Sequence, residues 1–224
     1  MIKAVLWDFG GVITTSPFDA FKKFELDNNL PENFIRMINS TNPDTNAWAR
    51  FEKSQITVGN FDREFEQETR AAGHAISGLT VLGLLSGDLR PEMVEALRRC
   101  SENFQTACLT NNVNVGEGRG VQFSQERMAG FQQVMQMFDL VIESSKVGVR
   151  KPDPRFYEMA CELLKISPDH AVYLDDLGIN LKPARAMGMA TIKVGEPGPA
   201  LKELEGLLGI SFAPRKRATD WSAS

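Results

Sequence analysis

The chain has 224 residues, 42% hydrophobic and 24% charged, which is typical of one large globular domain or of one domain carrying an insert. Its net charge of −4 lacks the positive excess of nucleic-acid-binding proteins, and three separated cysteines with two histidines argue against a disulfide framework or a zinc site. The apolar run before Asp8 is too short for a signal peptide and no run approaches a membrane span, so we expect a cytoplasmic protein with no nucleic-acid or membrane partner.

Five short apolar runs predict the strands of a buried parallel sheet, and the first four are each followed at once by polar residues. They are residues 2–7, 106–109, 140–142, 171–174 and 190–194. Continuous aliphatic and β-branched runs are typical of strands that are covered on both faces. Helical patterns lie between the runs, so the alternation predicts an α/β fold with a Rossmann-like, doubly wound parallel sheet.

Capping residues bound two of the helices that follow strands. Asp88 is the expected N-cap of a helix over residues 90–100. Asp153 is the expected N-cap of a helix over residues 154–165, because Pro154 stands at the first helical position.

Residues 17–86 break the alternation, because they show helical periodicity and no convincing strand. Five phenylalanines recur there at spacings of three and four residues: Phe18, Phe21, Phe24, Phe61 and Phe65. Such stripes can line a substrate pocket, but packing between helices explains them better. We therefore expect a helical cap domain of about four helices over residues 17–86, inserted into a discontinuous core of residues 1–16 and 87–224.

Polar residues capable of chemistry stand at the carboxyl ends of the predicted strands, where ligands bind in open parallel sheets. They are Asp8 before Gly10-Gly11, then Thr110-Asn111, then Lys151, then Asp175-Asp176. Each alone is more often a turn, cap or surface residue. Together they supply a nucleophilic carboxylate, a phosphate cradle, a cation and further carboxylates. Because carboxylates repel one another, they need a bound cation or a shifted pKa to share a site, and oxygen ligands without His or Cys indicate Mg²⁺.

The order of these motifs resembles that of the haloacid dehalogenase-like hydrolases. The similarity is closest to the N-terminal phosphatase domain of soluble epoxide hydrolases and its stand-alone bacterial relatives, and it extends to about residue 210. It is carried by Asp8-Phe9-Gly10-Gly11-Val12, Leu109-Thr110-Asn111, Lys151-Pro152, and Leu174-Asp175-Asp176 with Asn180. Residues 138–144, 151–157, 174–189 and 50–61 add to it.

The resemblance implies a Mg²⁺-dependent phosphatase acting on a small phosphorylated substrate, as a monomer or a homodimer. Asp8 would attack phosphorus and form an aspartyl-phosphate intermediate. The implied metal ligands are the Asp8 and Asp176 carboxylates and the Gly10 backbone carbonyl. Thr110 and the Asn111 N–H would bind phosphate, Lys151 would neutralise charge, and Asp175 and Asn180 would orient the metal site.

The sequence departs from the pattern at Gly10, where related phosphatases place an aspartate as general acid and base. General acid–base catalysis is worth roughly 10²–10⁴ in rate. Three explanations are open. A water or a cap residue supplies the proton, or the leaving group needs little protonation. In the third, the protein is a feeble enzyme or a non-catalytic phosphate binder. A 2-haloacid dehalogenase, in which Asp8 attacks carbon without metal, is a further alternative, but stacked carboxylates disfavour a metal-free site for an anionic substrate.

Two other segments are expected to be surface features. The glycine-rich residues 116–120 are expected to form a surface loop and not a nucleotide cradle, and the basic residues 215–217 a solvated terminus.

Overall fold

The fold is described from a computed structural model that covers residues 1–85, 87–112 and 125–212, with the side chains of residues 125–128 excepted. The glycine-rich segment 116–120 and the basic cluster 215–217 lie outside the described residues, so the expectations for them stay predictions.

A five-stranded sheet forms the centre of the protein, in the order β3-β2-β1-β4-β5, and every pair of neighbouring strands is parallel. The strands are β1 (Ala4–Trp7), β2 (Gln105–Thr110), β3 (Leu140–Glu143), β4 (Ala171–Asp175) and β5 (Ala190–Lys193). All five predicted strands are therefore present. The predicted α/β fold with a doubly wound parallel sheet is confirmed.

Both faces of the sheet are covered, because successive side chains of a strand point to opposite sides. Val5 and Trp7 enter one apolar cluster, and Ala4 and Leu6 enter another. The helices outside the insert are α6 (Pro91–Ser101), α7 (Gln125–Met135), α8 (Ser144–Val147), α9 (Pro154–Leu164), α10 (Gly178–Ala186) and α11 (Pro197–Leu208).

The two predicted helix caps have different outcomes. Asp153 caps α9, because its side chain accepts a hydrogen bond from the Arg155 N–H. The prediction that Asp88 caps α6 is wrong, because the N-cap position is Arg90 and it makes no side-chain capping bond. Asp88 is instead held by Thr15, whose N–H donates to the Asp88 carbonyl at 2.8 Å and whose hydroxyl accepts from the Asp88 N–H at 2.9 Å.

Five helices fill the segment after β1: α1 (Pro17–Asp27), α2 (Phe34–Ser40), α3 (Ala47–Glu52), α4 (Val58–Ala71) and α5 (Gly78–Gly83). They share an apolar cluster of their own, in which Phe21, Phe61 and Phe65 are buried. Phe61 stacks on Phe51 with ring centroids 4.5 Å apart. These phenylalanines are therefore core residues, as the spacing indicates. The division into two domains stays a proposal, and residues 17–86 are called the helical insert below.

None of the helices in the described part of the chain combines the length and the apolar character that crossing a membrane requires.

We expect Phe61→Ala to lower the free energy of unfolding by about 3–5 kcal/mol, because it empties the centre of the insert's apolar cluster. Urea unfolding followed by circular dichroism measures this loss. Leu26→Ala is the matched control, because Leu26 is 77% exposed on α1 and its truncation creates no cavity. Equal losses for the two variants would mean that the insert has no packed core of its own.

Candidate active site

The polar residues at the strand ends converge at one edge of the sheet. β1, β2 and β4 are neighbours, so the segments that follow them lie side by side. Asp8 follows β1, Thr110 ends β2 and Asp175 ends β4. Lys151 comes from the loop between α8 and α9 and reaches the same edge.

Lys151 lies between two carboxylates. Its ammonium nitrogen is 2.8 Å from Asp8 Oδ1 and 2.9 Å from Asp175 Oδ2. The Lys151 side chain is 1% exposed and that of Asp175 is fully buried. A buried ammonium requires such partners, because removing a charge from water without compensation costs several kcal/mol. The three side chains therefore form one buried electrostatic unit.

The Asn111 side chain fixes the backbone of Lys151. Asn111 Nδ2 donates to the Lys151 carbonyl at 3.0 Å, and the Lys151 N–H donates to Asn111 Oδ1 at 2.9 Å. This two-point clamp ties the lysine loop to the end of β2. The motif resemblance implies a role only for the Asn111 N–H, and no local signal in the sequence reveals what the side chain binds.

Asp175 is saturated with hydrogen-bond donors. Its Oδ2 accepts from Lys151, from the Tyr173 hydroxyl and from Asn180 Nδ2, while its Oδ1 accepts from Asn180 Nδ2 and from the Leu177 N–H at 2.7 Å. A carboxylate with this many donors is poorly disposed to bind anything else. Tyr173 is a site residue that the sequence motifs do not reveal, although strand periodicity could have found it. Residues two apart on a strand share a face, and Tyr173 stands two before Asp175.

Asp176 has a different environment, because it leaves the strand and packs against the loop after β1. Gly11 has a φ of +76°, and a Cβ built on it would lie 2.3 Å from Asp176 Oδ2. The space of the missing side chain is thus taken by the Asp176 carboxylate. Among described side chains, the Ser16 hydroxyl donates to that carboxylate at a long 3.5 Å.

Gly10 and Asp8 complete the loop after β1. Asp8 Oδ1 accepts from the Phe9 N–H at 2.7 Å as well as from Lys151, so both recorded contacts of this carboxylate fall on one oxygen. Gly10 has a φ of −69°, and a Cβ added there would meet no atom within 4 Å. The position of the missing family aspartate is therefore open space.

Among the described residues, carboxylates exceed cations at this edge. Asp8, Asp175 and Asp176 can each offer an oxygen atom within 4.8 Å of the others, and the described cation paired with them is the ammonium of Lys151. Burial raises the pKa of Asp8 well above its usual range, Lys151 counteracts this, and Asp175 and Asp176 raise it further. Burial, reinforced by Asp175, raises the pKa of Asp176 to about 6. Although burial by itself lowers the pKa of Lys151, Asp175 and Asp8 outweigh it, so the lysine stays protonated.

The predicted phosphate-binding residues lie beside this cluster. Thr110 is the last residue of β2 and is buried, and Asn111 follows it. Asn180, in the first turn of α10, is buried behind Asp175. The structure thus brings Asp8, Lys151, Asp175, Asp176 and Asn180 into contact as a chain of neighbours, with Thr110 and Asn111 at the adjacent strand end. Their roles remain predictions.

A family model described as haloacid dehalogenase-like hydrolase matches residues 2–188. Acyl-CoA dehydrogenase family member 10 of Mus musculus is 34% identical over 93% of this chain and 19% of its own length. Bifunctional epoxide hydrolase 2 of the same species is 29% identical over 94% of this chain and 40% of its own length. The chain thus spans well under half of these two relatives. The sesquiterpene phosphatase astK of Aspergillus oryzae is 25% identical over 92% of this chain and 97% of its length.

Solved structures show the same fold. A haloacid dehalogenase family enzyme of Bacteroides thetaiotaomicron, in complex with magnesium and inorganic phosphate, has a TM-score of 0.61 and 20% identity over 91% of this chain and 99% of its own. The L-2-haloacid dehalogenase of Xanthobacter autotrophicus, with chloropropionic acid covalently bound, has a TM-score of 0.56 and 16% identity over 94% of this chain and 85% of its own. At these identities the likeness concerns the fold alone.

We expect Gly11→Ala to lower the free energy of unfolding by about 1–3 kcal/mol, because the new methyl group meets Asp176 and the positive φ disfavours any side chain. Gly10→Ala is the matched control one residue away, and its open surroundings predict a change below about 0.5 kcal/mol. Urea unfolding measures both. A tolerated Gly11→Ala would contradict the packing of Asp176 on this glycine.

Proposed function

The chain belongs to the haloacid dehalogenase-like hydrolase family, and we propose that it is a magnesium-dependent phosphatase that hydrolyses a small organic phosphate monoester with Asp8 as its nucleophile. The observation that carries this proposal is the buried contact of Lys151 with both Asp8 and Asp175, beside Asp176, whose carboxylate accepts from Ser16 among the described side chains. It combines a nucleophile, a fixed positive charge and surplus carboxylates at one sheet edge.

Asp8 suits nucleophilic attack because its two oxygens are in different environments. Oδ1 is held by the Phe9 N–H and by Lys151, which orients the carboxylate. In the proposed reaction Oδ2 attacks phosphorus and the bond from phosphorus to the ester oxygen breaks. The ester oxygen leaves with the bonding electrons and takes a proton from water. Water then attacks phosphorus of the aspartyl phosphate, releasing inorganic phosphate and regenerating the Asp8 carboxylate.

Lys151, Thr110 and Asn111 provide the surroundings of the phosphoryl group in this proposal. The ammonium of Lys151 stabilises negative charge on the phosphoryl oxygens and favours the ionised form of Asp8 against burial, which raises the pKa of that carboxyl. The Thr110 hydroxyl and the Asn111 N–H donate to those oxygens. The Asn111 side chain is already bound to the Lys151 backbone. These two hydrogen bonds hold the backbone N–H of Asn111 in a defined position relative to Lys151.

The residues present fit a divalent cation. Within the part of the chain that the structure describes, three carboxylates face one ammonium, which leaves an excess of negative charge, and the carboxylate donor atoms are hard oxygens. Asp8, Asp176 and the Gly10 carbonyl would hold the ion, while Asp175 is already saturated and, with Asn180, holds the other groups in place. When bound, Mg²⁺ would screen charge between Asp8 and the incoming phosphate.

The domain arrangement is part of the same proposal. Residues 17–86 would be a cap over a core of residues 1–16 and 87–224, excluding water from the reaction and selecting the organic part of the substrate. The separate apolar cluster of the helical insert supports this division. The sesquiterpene phosphatase, which the chain matches over 97% of its length, supports the reaction by its name. The bifunctional epoxide hydrolase matches this chain over only 40% of its own length, so its name is weaker support for any one activity.

The absence of an acidic side chain at Gly10 is compatible with two other candidate functions, a 2-haloacid dehalogenase and a phosphate-binding protein. A dehalogenase needs no acid for its leaving halide, so Gly10 is compatible with one, and a structure of such an enzyme shares the fold. The crowding of Asp175 and Asp176 beside Asp8 argues against it, because an anionic haloacid would meet uncompensated negative charge. A phosphate-binding protein without turnover is the other candidate.

We expect the purified protein to hydrolyse p-nitrophenyl phosphate with Mg²⁺ and to lose this activity with EDTA or with Asp8→Asn, which removes the attacking oxygen. Absorbance of nitrophenolate measures the rate, and circular dichroism checks the fold of the variant. Halide release from chloroacetate that persists in EDTA would instead establish the dehalogenase. Tight phosphate binding without turnover would establish the binding protein.

We expect Gly10→Asp to increase hydrolysis of alkyl phosphates more than that of p-nitrophenyl phosphate, because an added acid helps a poor leaving group most. The open space at Gly10 and its ordinary φ accommodate the new side chain. The ratio of kcat/KM for the two substrates is the measured quantity, and Gly10→Asn is the control of similar size without an acid. An unchanged ratio would mean that another group supplies the proton.

A further inference from the structure

A buried ion pair joins the helical insert to the residue next to Lys151. Glu52, at the end of α3, places its Oε2 2.9 Å from Arg150 Nε, and the two side chains are 7% and 19% exposed. Arg150 Nη1 also donates to the Pro43 carbonyl at 3.2 Å, in the loop before α3. Arg150 therefore contacts the insert at both ends of one helix.

The core side of this contact is immobilised independently of the insert. The neighbouring Lys151 is clamped by Asn111 and paired with Asp8 and Asp175, and the Arg150 carbonyl accepts from the Asp153 N–H at 2.9 Å. The Arg150 backbone is thus a fixed point beside the active site. The Arg150 side chain extends from this fixed backbone to Glu52 at the end of α3.

The insert side is organised as well. Trp48, one turn earlier on α3, donates from Nε1 to Glu52 Oε1 at 2.9 Å, so one carboxylate oxygen is oriented by the insert and the other faces the core. Ser54 adds a nearby contact, because its hydroxyl donates to the Ser145 carbonyl at 2.8 Å. The insert is therefore anchored around α3, against α8 and the lysine loop.

Stability alone accounts poorly for this pair. Glu52 Oε2 and Arg150 Nε are buried and close, yet neither makes a hydrogen bond with described atoms, so the charges meet without hydrogen-bond alignment. Burial raises the pKa of Glu52, and Arg150 opposes this. Buried pairs of imperfect geometry recover little of the cost of leaving water, and apolar side chains serve packing equally well.

We propose that the Glu52–Arg150 pair sets the closed position of the helical insert over the active site, which makes Glu52 and Arg150 positioning residues for the organic part of the substrate. This inference rests on the proposed phosphatase function. It predicts that loosening the pair impairs recognition of the organic group and leaves the phosphate subsite intact, because that subsite is held by Asn111, Asp8 and Asp175.

The test is Glu52→Gln, which removes the charge and keeps the shape. We expect the KM for p-nitrophenyl phosphate to rise about tenfold, in the range of coupling between contacting residues, while the inhibition constant of inorganic phosphate changes less than about twofold. Glu64→Gln is the matched control, because Glu64 pairs with Arg50 at 2.6 Å entirely inside the insert. It should leave both constants at the wild-type values.

Arg150→Gln and the double variant decide whether the two residues act as one unit. The double variant should raise the KM no more than the worse single variant. Additive effects, an unchanged KM in Glu52→Gln, or equal changes in KM and phosphate inhibition would each overturn the proposal. A merely structural role predicts a lower melting temperature with unchanged constants for the folded protein.

Hydrogen exchange separates this inference from the proposed function. Glu52→Gln should accelerate exchange of backbone amides in residues 47–54 and in residues 145–147 of α8, which Ser54 contacts, whereas Glu64→Gln should leave 145–147 unchanged. This readout needs no substrate. A wild-type protein without turnover would overturn the phosphatase while the exchange result still decides whether the pair anchors the insert, and unchanged exchange in Glu52→Gln would overturn the anchor.

Discussion

The ammonium group of Lys151 is buried between Asp8 and Asp175, and the arrangement of the sheet edge follows from the need to compensate that charge. Taking an ammonium out of water costs several kcal/mol unless opposite charges meet it at close range. Two carboxylates do so at 2.8 and 2.9 Å. They come from the ends of two adjacent strands, β1 and β4, which only a parallel arrangement brings to the same edge. Fixing the lysine thus fixes the relative positions of both carboxylates.

The pairing of Asp175 with the Lys151 ammonium places the adjacent residues Asp175 and Asp176 in different environments. Asp175 is surrounded by donors from Lys151, Tyr173 and Asn180, which leaves it as an internal support. Asp176 lies past the end of the strand against Gly11 and has few donors, so it is the carboxylate disposed to accept a cation. Two chemically identical neighbours therefore differ in environment, because successive side chains along an extended backbone point in opposite directions.

The same lysine loop connects the site to the helical insert. Arg150 precedes Lys151, and its side chain extends to Glu52 while its backbone is held by the core. In the proposed phosphatase, Lys151 stabilises the phosphoryl group, and Arg150 sets the distance between the active site and the helices that cover the organic group. Two consecutive residues would therefore serve the reaction and the choice of substrate.

The sequence by itself determined the five strands, their parallel arrangement in a sheet covered on both faces, and the polar residues at their ends. Apolar runs and turn residues are local signals, which is why these features can be read from the sequence. It also indicated that the insert's phenylalanines form a core. Only the tertiary structure decided which atoms meet. The Asn111 clamp joins residues 40 positions apart, and Arg150 binds a glutamate from a separate helical segment. Thr15, distant in sequence, holds the Asp88 backbone, and Arg90 takes the N-cap position of α6. Such pairings depend on distance in space and leave no periodic pattern along the chain.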